Sequence, residues 1–148
     1  MASVVAVCIS EQKGVRKHEV PGIEIRKGEG VLGDAHGDDP MRRISLLGSE
    51  SVDKLRDACP DLNPGDFAEN ILTEGILLYE LPVGTRLMIG ETELEVTQIG
   101  KECHHGCEIR RLTGDCVMPR EGIFAEVVAE GLIRPGDPIE AIEPGDTV

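Results

Sequence analysis

Glycine and proline punctuate this chain so evenly that short elements joined by turns are what it can form. Eighteen glycines and nine prolines are spread through 148 residues rather than clustered. Glycine supplies the unusual backbone angles of turns, and proline interrupts the hydrogen bonding of helices and sheets, so the pattern predicts many short strands. Ser3 to Ile9 is apolar and β-branched, the composition of a buried strand, and Ile23 to Lys27 alternates isoleucine with charge, the period of a half-exposed one. Ile44 to Leu47, Ile71 to Thr73 and Ile139 to Ile142 read as further strands. Thr85 to Ile89 and the alternating run through Leu94, Val96 and Gln98 flank Gly90-Glu91, which predicts a β-hairpin.

Two segments read as helices. Ser49 is placed to cap the first, with Val52, Leu55 and Ala58 on one face and Pro60 as its stop. Glu121 to Glu130 is the second, with Ile123, Phe124, Val127 and Val128 on its apolar side and Gly131 as its end. The fold class expected is therefore mainly β, a barrel with a few peripheral helices, since closure removes exposed sheet edges. A mixed α+β sandwich is the alternative. No interior linker interrupts residues 1–143, which read as one domain; 144–148 read as a frayed tail.

Composition narrows the partners. Tryptophan is absent and aromatic residues make up 2% of the chain, so the stacking platforms of single-stranded nucleic-acid binders are missing. A net charge of −13 repels a phosphate backbone. Nucleic acid is excluded on these grounds, whereas a small anion in a locally basic cleft is not. No apolar run reaches membrane-spanning length and no leader opens the sequence, which gives a cytoplasmic expectation and no membrane partner. Five cysteines in a reducing compartment read as metal-binding or catalytic rather than as disulfides.

The chemistry concentrates in Lys101-Glu102-Cys103-His104-His105-Gly106-Cys107-Glu108-Ile109-Arg110-Arg111, with Cys116 and Arg120 beyond it. The thiolate is the form that attacks sulfur or binds a soft metal, and neighbouring cations favour it. Burial of Cys103 and Cys107 as small hydrophobes is the plain alternative, opposed by their polar flanks. A structural zinc site built from Cys103, His104, His105 and Cys107 is a rival, but adjacent histidines on a strand point to opposite faces. Cys116 suits a resolving thiol or a core position, while Cys8 and Cys59 read as structural.

Gly33-Asp34-Ala35-His36, Arg43-Ile44-Ser45-Leu46-Leu47, Pro64-Gly65-Asp66-Phe67-Ala68-Glu69-Asn70-Ile71, Leu81-Pro82-Val83-Gly84-Thr85, Val96-Thr97-Gln98-Ile99-Gly100-Lys101, Met118-Pro119-Arg120-Glu121-Gly122-Ile123-Phe124-Ala125 and Arg134-Pro135-Gly136-Asp137 follow one another in an order that resembles the MOSC domain, the C-terminal domain of molybdenum cofactor sulfurase. The resemblance covers nearly the whole chain. It implies a β-barrel and the molybdenum cofactor (molybdopterin), whose phosphate and pterin oxygens suit arginine forks. It also implies a cysteine that ligates molybdenum or carries sulfur as a persulfide. Cys107 matches the second cysteine of the family pair, and is expected as metal ligand and reactive thiol, with Cys103 supporting it. Arg43, Lys101, Arg120, His36 and Asn70 are the expected cofactor-binding residues, while Asp34 and Asp66 are expected to organise turns.

The activities implied are cofactor sulfuration or reduction of N-hydroxylated compounds; a non-catalytic cofactor carrier or a zinc-stabilised binding domain is the alternative. The chain has no pyridoxal-phosphate domain and no electron-transfer domain. The partners expected are therefore a sulfur donor or electron-transfer protein and a molybdoenzyme acceptor. Oligomeric state is left open.

Overall fold

The computed structural model describes residues 2–11, 17–34, 43–54, 62–65, 67, 69–100 and 121–142. Among them are eleven strands: β1 (Ala2–Ile9), β2 (His18–Val20), β3 (Ile23–Arg26), β4 (Gly30–Val31), β5 (Ile44–Gly48), β6 (Ile71–Glu74), β7 (Arg86–Ile89), β8 (Thr92–Ile99), β9 (Ile123–Ala129), β10 (Gly131–Ile133) and β11 (Pro138–Ile142). One short helix, α1 (Ser49–Asp53), follows β5, and a single 3-10 turn covers Leu78–Glu80. Seven strands close into a barrel in the order β1-β6-β5-β9-β8-β7-β11, with β11 returning to β1 through Ala2 and Ser3. The strand β2 extends the sheet beyond β1, and β10, β3 and β4 form a separate three-stranded sheet. The barrel expected from the sequence is present.

Alternation along the strands builds two apolar clusters. Leu46, Ile71 and Ile123 belong to the larger one with Ile44, Leu87, Leu94 and Val96. Their chain neighbours Leu47, Leu72 and Phe124 face the other way, into a smaller cluster with Ala6, Val52 and Phe67. Successive side chains on a strand point to opposite faces, so these strands are buried on both sides. In β1 the pairing with β6 slips between Val4 and Ala6. This irregularity changes the parity, so that Val4 and Val7 both reach the larger cluster while Ala6 joins the smaller.

Three sequence expectations are corrected. Glu121 to Glu130 is not a helix: Ile123–Ala129 is β9, hydrogen-bonded between β8 and β5. Its apolar residues fit both a helical and a two-sided strand pattern, and pairing on both edges decides for the strand. Gly131 accordingly ends no helix; with φ +155 it opens β10, and a Cβ there would lie 3.0 Å from the Glu91 Cγ. Ser49 is the first residue of α1 rather than its cap, a position held by Gly48 without a side-chain bond. Val52 is buried as expected, whereas Leu55, Ala58 and Pro60 lie outside the described residues. The hairpin of β7 and β8 has the expected reversal, with Ile89 paired to Thr92.

Candidate functional site

The cysteine-bearing excursion is rooted at one point of the barrel wall. Ile99 at the end of β8 pairs with Ile123 at the start of β9. One residue further out, the Gly100 amide donates to the Gly122 carbonyl at 2.6 Å, and the Gln98 Nε2 donates to the Gly100 carbonyl at 2.8 Å. Residues 101–120 join these two feet in the chain. Lys101, Cys103, Cys107 and Arg120 thus lie outside the described residues, as do His36, Cys59, Asp66 and Cys116.

Glu121, the first described residue after that excursion, is fastened to α1. Its Oε1 accepts from the Ser51 hydroxyl at 2.7 Å, and its two carboxylate oxygens accept from the Lys54 Nζ at 2.9 Å each. The Lys54 side chain is 53% exposed and that of Glu121 14%. The ion pair itself therefore adds little stability, but the geometry fixes the foot of the excursion against the helix. The hydrogen bond from Lys54 to Glu121 raises the lysine above its ordinary value of 10.5, against some loss from burial. The same ammonium lies 5.4 Å from the centroid of Tyr79, in the 3-10 turn.

Arg43 and Asn70 precede β5 and β6, two parallel neighbours, so both stand where those strands enter the barrel. Ile123 pairs with Leu46, further along β5 toward Gly48. The excursion is therefore rooted toward the exit end of β5, while Arg43 and Asn70 stand at its entrance. The Arg43 Nη1 donates to the Gly28 carbonyl in the β3–β4 turn. The Asn70 side chain is buried. Its Oδ1 accepts from the Ser45 amide at 3.0 Å and the Ser45 hydroxyl at 3.1 Å, and its Nδ2 donates to the Cys8 carbonyl at 3.1 Å. One amide thus joins β1, β5 and the start of β6.

At the same end, the Asp34 Oδ1 accepts from the Ser10 amide at 2.9 Å and from the Lys17 Nζ at 2.6 Å. Both charged side chains are fully shielded from solvent. Glu69, also buried, takes the Gly65 amide at 2.9 Å and the Phe67 amide at 3.2 Å on its two oxygens. Gly65 is required there by conformation and by space: its φ is +89, and a Cβ would stand 2.2 Å from the Lys17 carbonyl oxygen.

Lys17 and the Glu121–Ser51–Lys54 cluster were not singled out by reading residues for function. Lys17 sits in a polar stretch with no local sign of burial; long-range packing alone puts it beside Asp34. Glu121 had a signal, its place in Met118-Pro119-Arg120-Glu121, but a helix reading of that region hid its role. Cys8 is buried, in keeping with a structural reading. Among the described residues, no three His, Cys, Asp or Glu side chains gather as a metal site.

The sequence model of the MOSC domain matches residues 33–140. No curated protein matches the chain. Among solved structures, the chain is similar to the YuaD protein of Bacillus subtilis at 19% identity and a TM-score of 0.77, covering 95% of this chain and 96% of that one. YiiM from Geobacillus stearothermophilus aligns at 19% identity and a TM-score of 0.75, over 98% of this chain and 77% of that one. YiiM from Escherichia coli gives 19% identity and a TM-score of 0.71, over 100% and 73%. At these identities the likeness is one of fold.

Proposed function

Because the chain belongs to the MOSC domain family, we propose that it binds the molybdenum cofactor and uses Cys107 to ligate molybdenum or to carry a transferable sulfur. What supports this reading is the sequence of the segment that joins Gly100 to Glu121: its twenty residues hold two closely spaced thiols, Lys101, Arg110, Arg111 and Arg120, and its two ends meet at the Gly100–Gly122 hydrogen bond. The donor set suits the group: soft thiolates for the metal, guanidinium and ammonium groups for the phosphate and pterin oxygens. When bound, the cofactor supplies two-electron redox chemistry and a metal-bound sulfur position.

The chain's own residues have separable tasks in this reading. Lys101 and Arg120 flank the excursion, bind the anionic cofactor and keep the Cys107 thiol ionised. Cys103 supports Cys107, and His36 and Arg43 add polar and positive groups. Asn70 contributes by holding β1, β5 and β6 in register. Glu121 positions Arg120, its neighbour in the chain, by anchoring to Ser51 and Lys54.

In the sulfur mode, the Cys107 thiolate attacks the outer sulfur of a donor persulfide. The donor S–S bond breaks, the donor thiolate leaves, and a new persulfide stands on Cys107. In the oxidoreductase mode, the protein orients an N-hydroxylated substrate while an electron-transfer partner supplies electrons. Treatment with a persulfide donor followed by peptide mass spectrometry tests the first. A gain of one sulfur atom on Cys107 is expected, and its absence there together with modification elsewhere overturns that mode. Turnover of an N-hydroxylated compound by the cofactor-loaded protein with a reductant tests the second against a pure carrier.

A further inference from the structure

One face of the barrel combines a groove with unpaired negative charge. The strands β11, β7, β8 and β9 lie side by side in the sheet. Leu87, Leu94, Val127 and Ile139 turn into the larger apolar cluster, so the residues that alternate with them face the other way. The strand register sets these in two rows. Glu140, Met88 and Glu93 form one, and Arg86, Glu95 and Glu126 the next. Beside the first row, Met88, Gly90, Pro138, Ile139 and Glu140 line a groove of about 320 Å³.

Four carboxylates share this face with one guanidinium, and Arg86 is already engaged. Its Nη1 lies 3.0 Å from the Glu93 Oε2 and its Nε 3.9 Å from the Glu95 Oε1. Glu126 and Glu140 make no hydrogen bond or ion pair among the described residues. Glu126 also stands directly opposite Glu95. Like charges so placed destabilise a sheet, so the fold gains nothing from this arrangement.

The layout of the charge selects the occupant. Among the described residues no three acidic side chains gather closely enough to hold one metal ion. Carboxylates spread along two rows suit several separate cationic groups instead. Arginine and lysine side chains supply those groups on apolar stems. The face repels phosphate backbones and anionic membranes. A twofold dimer through it would set the carboxylates of one copy against those of the other. Four strands at a spacing of about 4.8 Å span about 14 Å, the width of one helix or extended segment. We propose that this face docks a basic, partly apolar segment of another protein, with cationic side chains at Glu95, Glu126 and Glu140 and an apolar side chain in the groove. The proposal stands independently of the cofactor reading.

NMR titration of isotope-labelled protein tests it with three probes: a synthetic peptide alternating arginine with leucine, one alternating arginine with serine, and spermine. The arginine–leucine peptide is expected to shift the amides of Met88, Gly90, Glu95, Glu126 and Glu140, to bind more tightly than the other two probes, and to weaken as salt rises. Glu126→Gln combined with Glu140→Gln is expected to weaken that binding about fivefold. The same double variant should keep or raise the thermal midpoint, since Glu126 no longer faces Glu95. Shifts centred elsewhere, or none at millimolar peptide, overturn the proposal. So do equal affinity for spermine, which would leave the groove without a part, and unchanged peptide binding in the double variant. A lowered midpoint would make these carboxylates part of the fold, and a concentration-dependent dimer shifting the same amides would make a second copy the occupant; either result overturns it.

Discussion

The Gly100 amide and the Gly122 carbonyl are joined at 2.6 Å across the two feet of the cysteine excursion. The barrel wall is thus complete without the residues between them, because Ile99 and Ile123 already close the β8–β9 ladder. Closing a shorter loop costs less entropy. Replacing residues 101–120 with a short glycine-serine turn should therefore leave the barrel folded, with the far-ultraviolet circular dichroism and cooperative unfolding of the full chain. Loss of cooperative unfolding in that variant would make the excursion part of the core.

Asn70 separates a scaffolding role from a direct ligand role. Asn70→Ala leaves the Ser45 amide, the Ser45 hydroxyl and the Cys8 carbonyl without that side chain in the interior. At about 1–3 kcal/mol for an unsatisfied buried group, the loss should reach roughly 3 kcal/mol. Urea unfolding measures it. A variant of wild-type stability would show that the clip is not what holds β1, β5 and β6 together.

The Lys17–Asp34 pair should behave as a buried ion pair whose halves are coupled. Lys17→Met removes the ammonium from beside the buried Asp34 carboxylate and should cost about 3–5 kcal/mol. Asp34→Asn keeps an acceptor for the Ser10 amide, and in the double variant the buried carboxylate charge is gone. The double variant should therefore be more stable than the sum of the single losses allows, read by a double-mutant cycle in urea. Strict additivity would contradict the coupling.

How much of this was legible in the sequence depends on the range of the interaction. The β7–β8 hairpin was readable because Gly90-Glu91 and the alternating residues that flank it are local signals. The smaller apolar cluster was not, since Leu47, Leu72 and Phe124 come together only when three strands from distant parts of the chain align. That alignment is also why Ile123–Ala129 became a strand: its short apolar run suits either period, and two neighbouring strands supplied the missing constraint. At the candidate site, Asn70 could be picked out as a motif residue, but its inward-facing amide follows from packing. Lys17 had no motif at all. The thiols were legible as chemistry, and their common root became clear only from the pairing of Gly100 with Gly122.

The Lys54–Glu121 contact has a defined pH signature. The folded state holds the Lys54 proton more tightly than the unfolded chain, with the hydrogen bond to Glu121 as the main cause. The contribution is therefore fully present below the ordinary lysine value of 10.5 and is lost as pH rises through the raised folded value. Denaturation of wild type and Lys54→Met should differ at pH 8 by a small amount that shrinks toward strong alkali. In Glu121→Gln, an NMR titration of the Lys54 side chain should move back toward 10.5. An unchanged titration would mean that Glu121 does not hold the ammonium.

Molybdenum and pterin content of the purified protein tests the central claim most directly. Wild type, Cys103→Ala and Cys107→Ala are to be produced together with molybdate supplied and analysed by mass spectrometry for metal and by fluorescence for oxidised pterin. The account predicts both components in wild type and a loss of most molybdenum in Cys107→Ala, with a smaller effect in Cys103→Ala. Equal molybdenum and pterin in wild type and Cys107→Ala would contradict it.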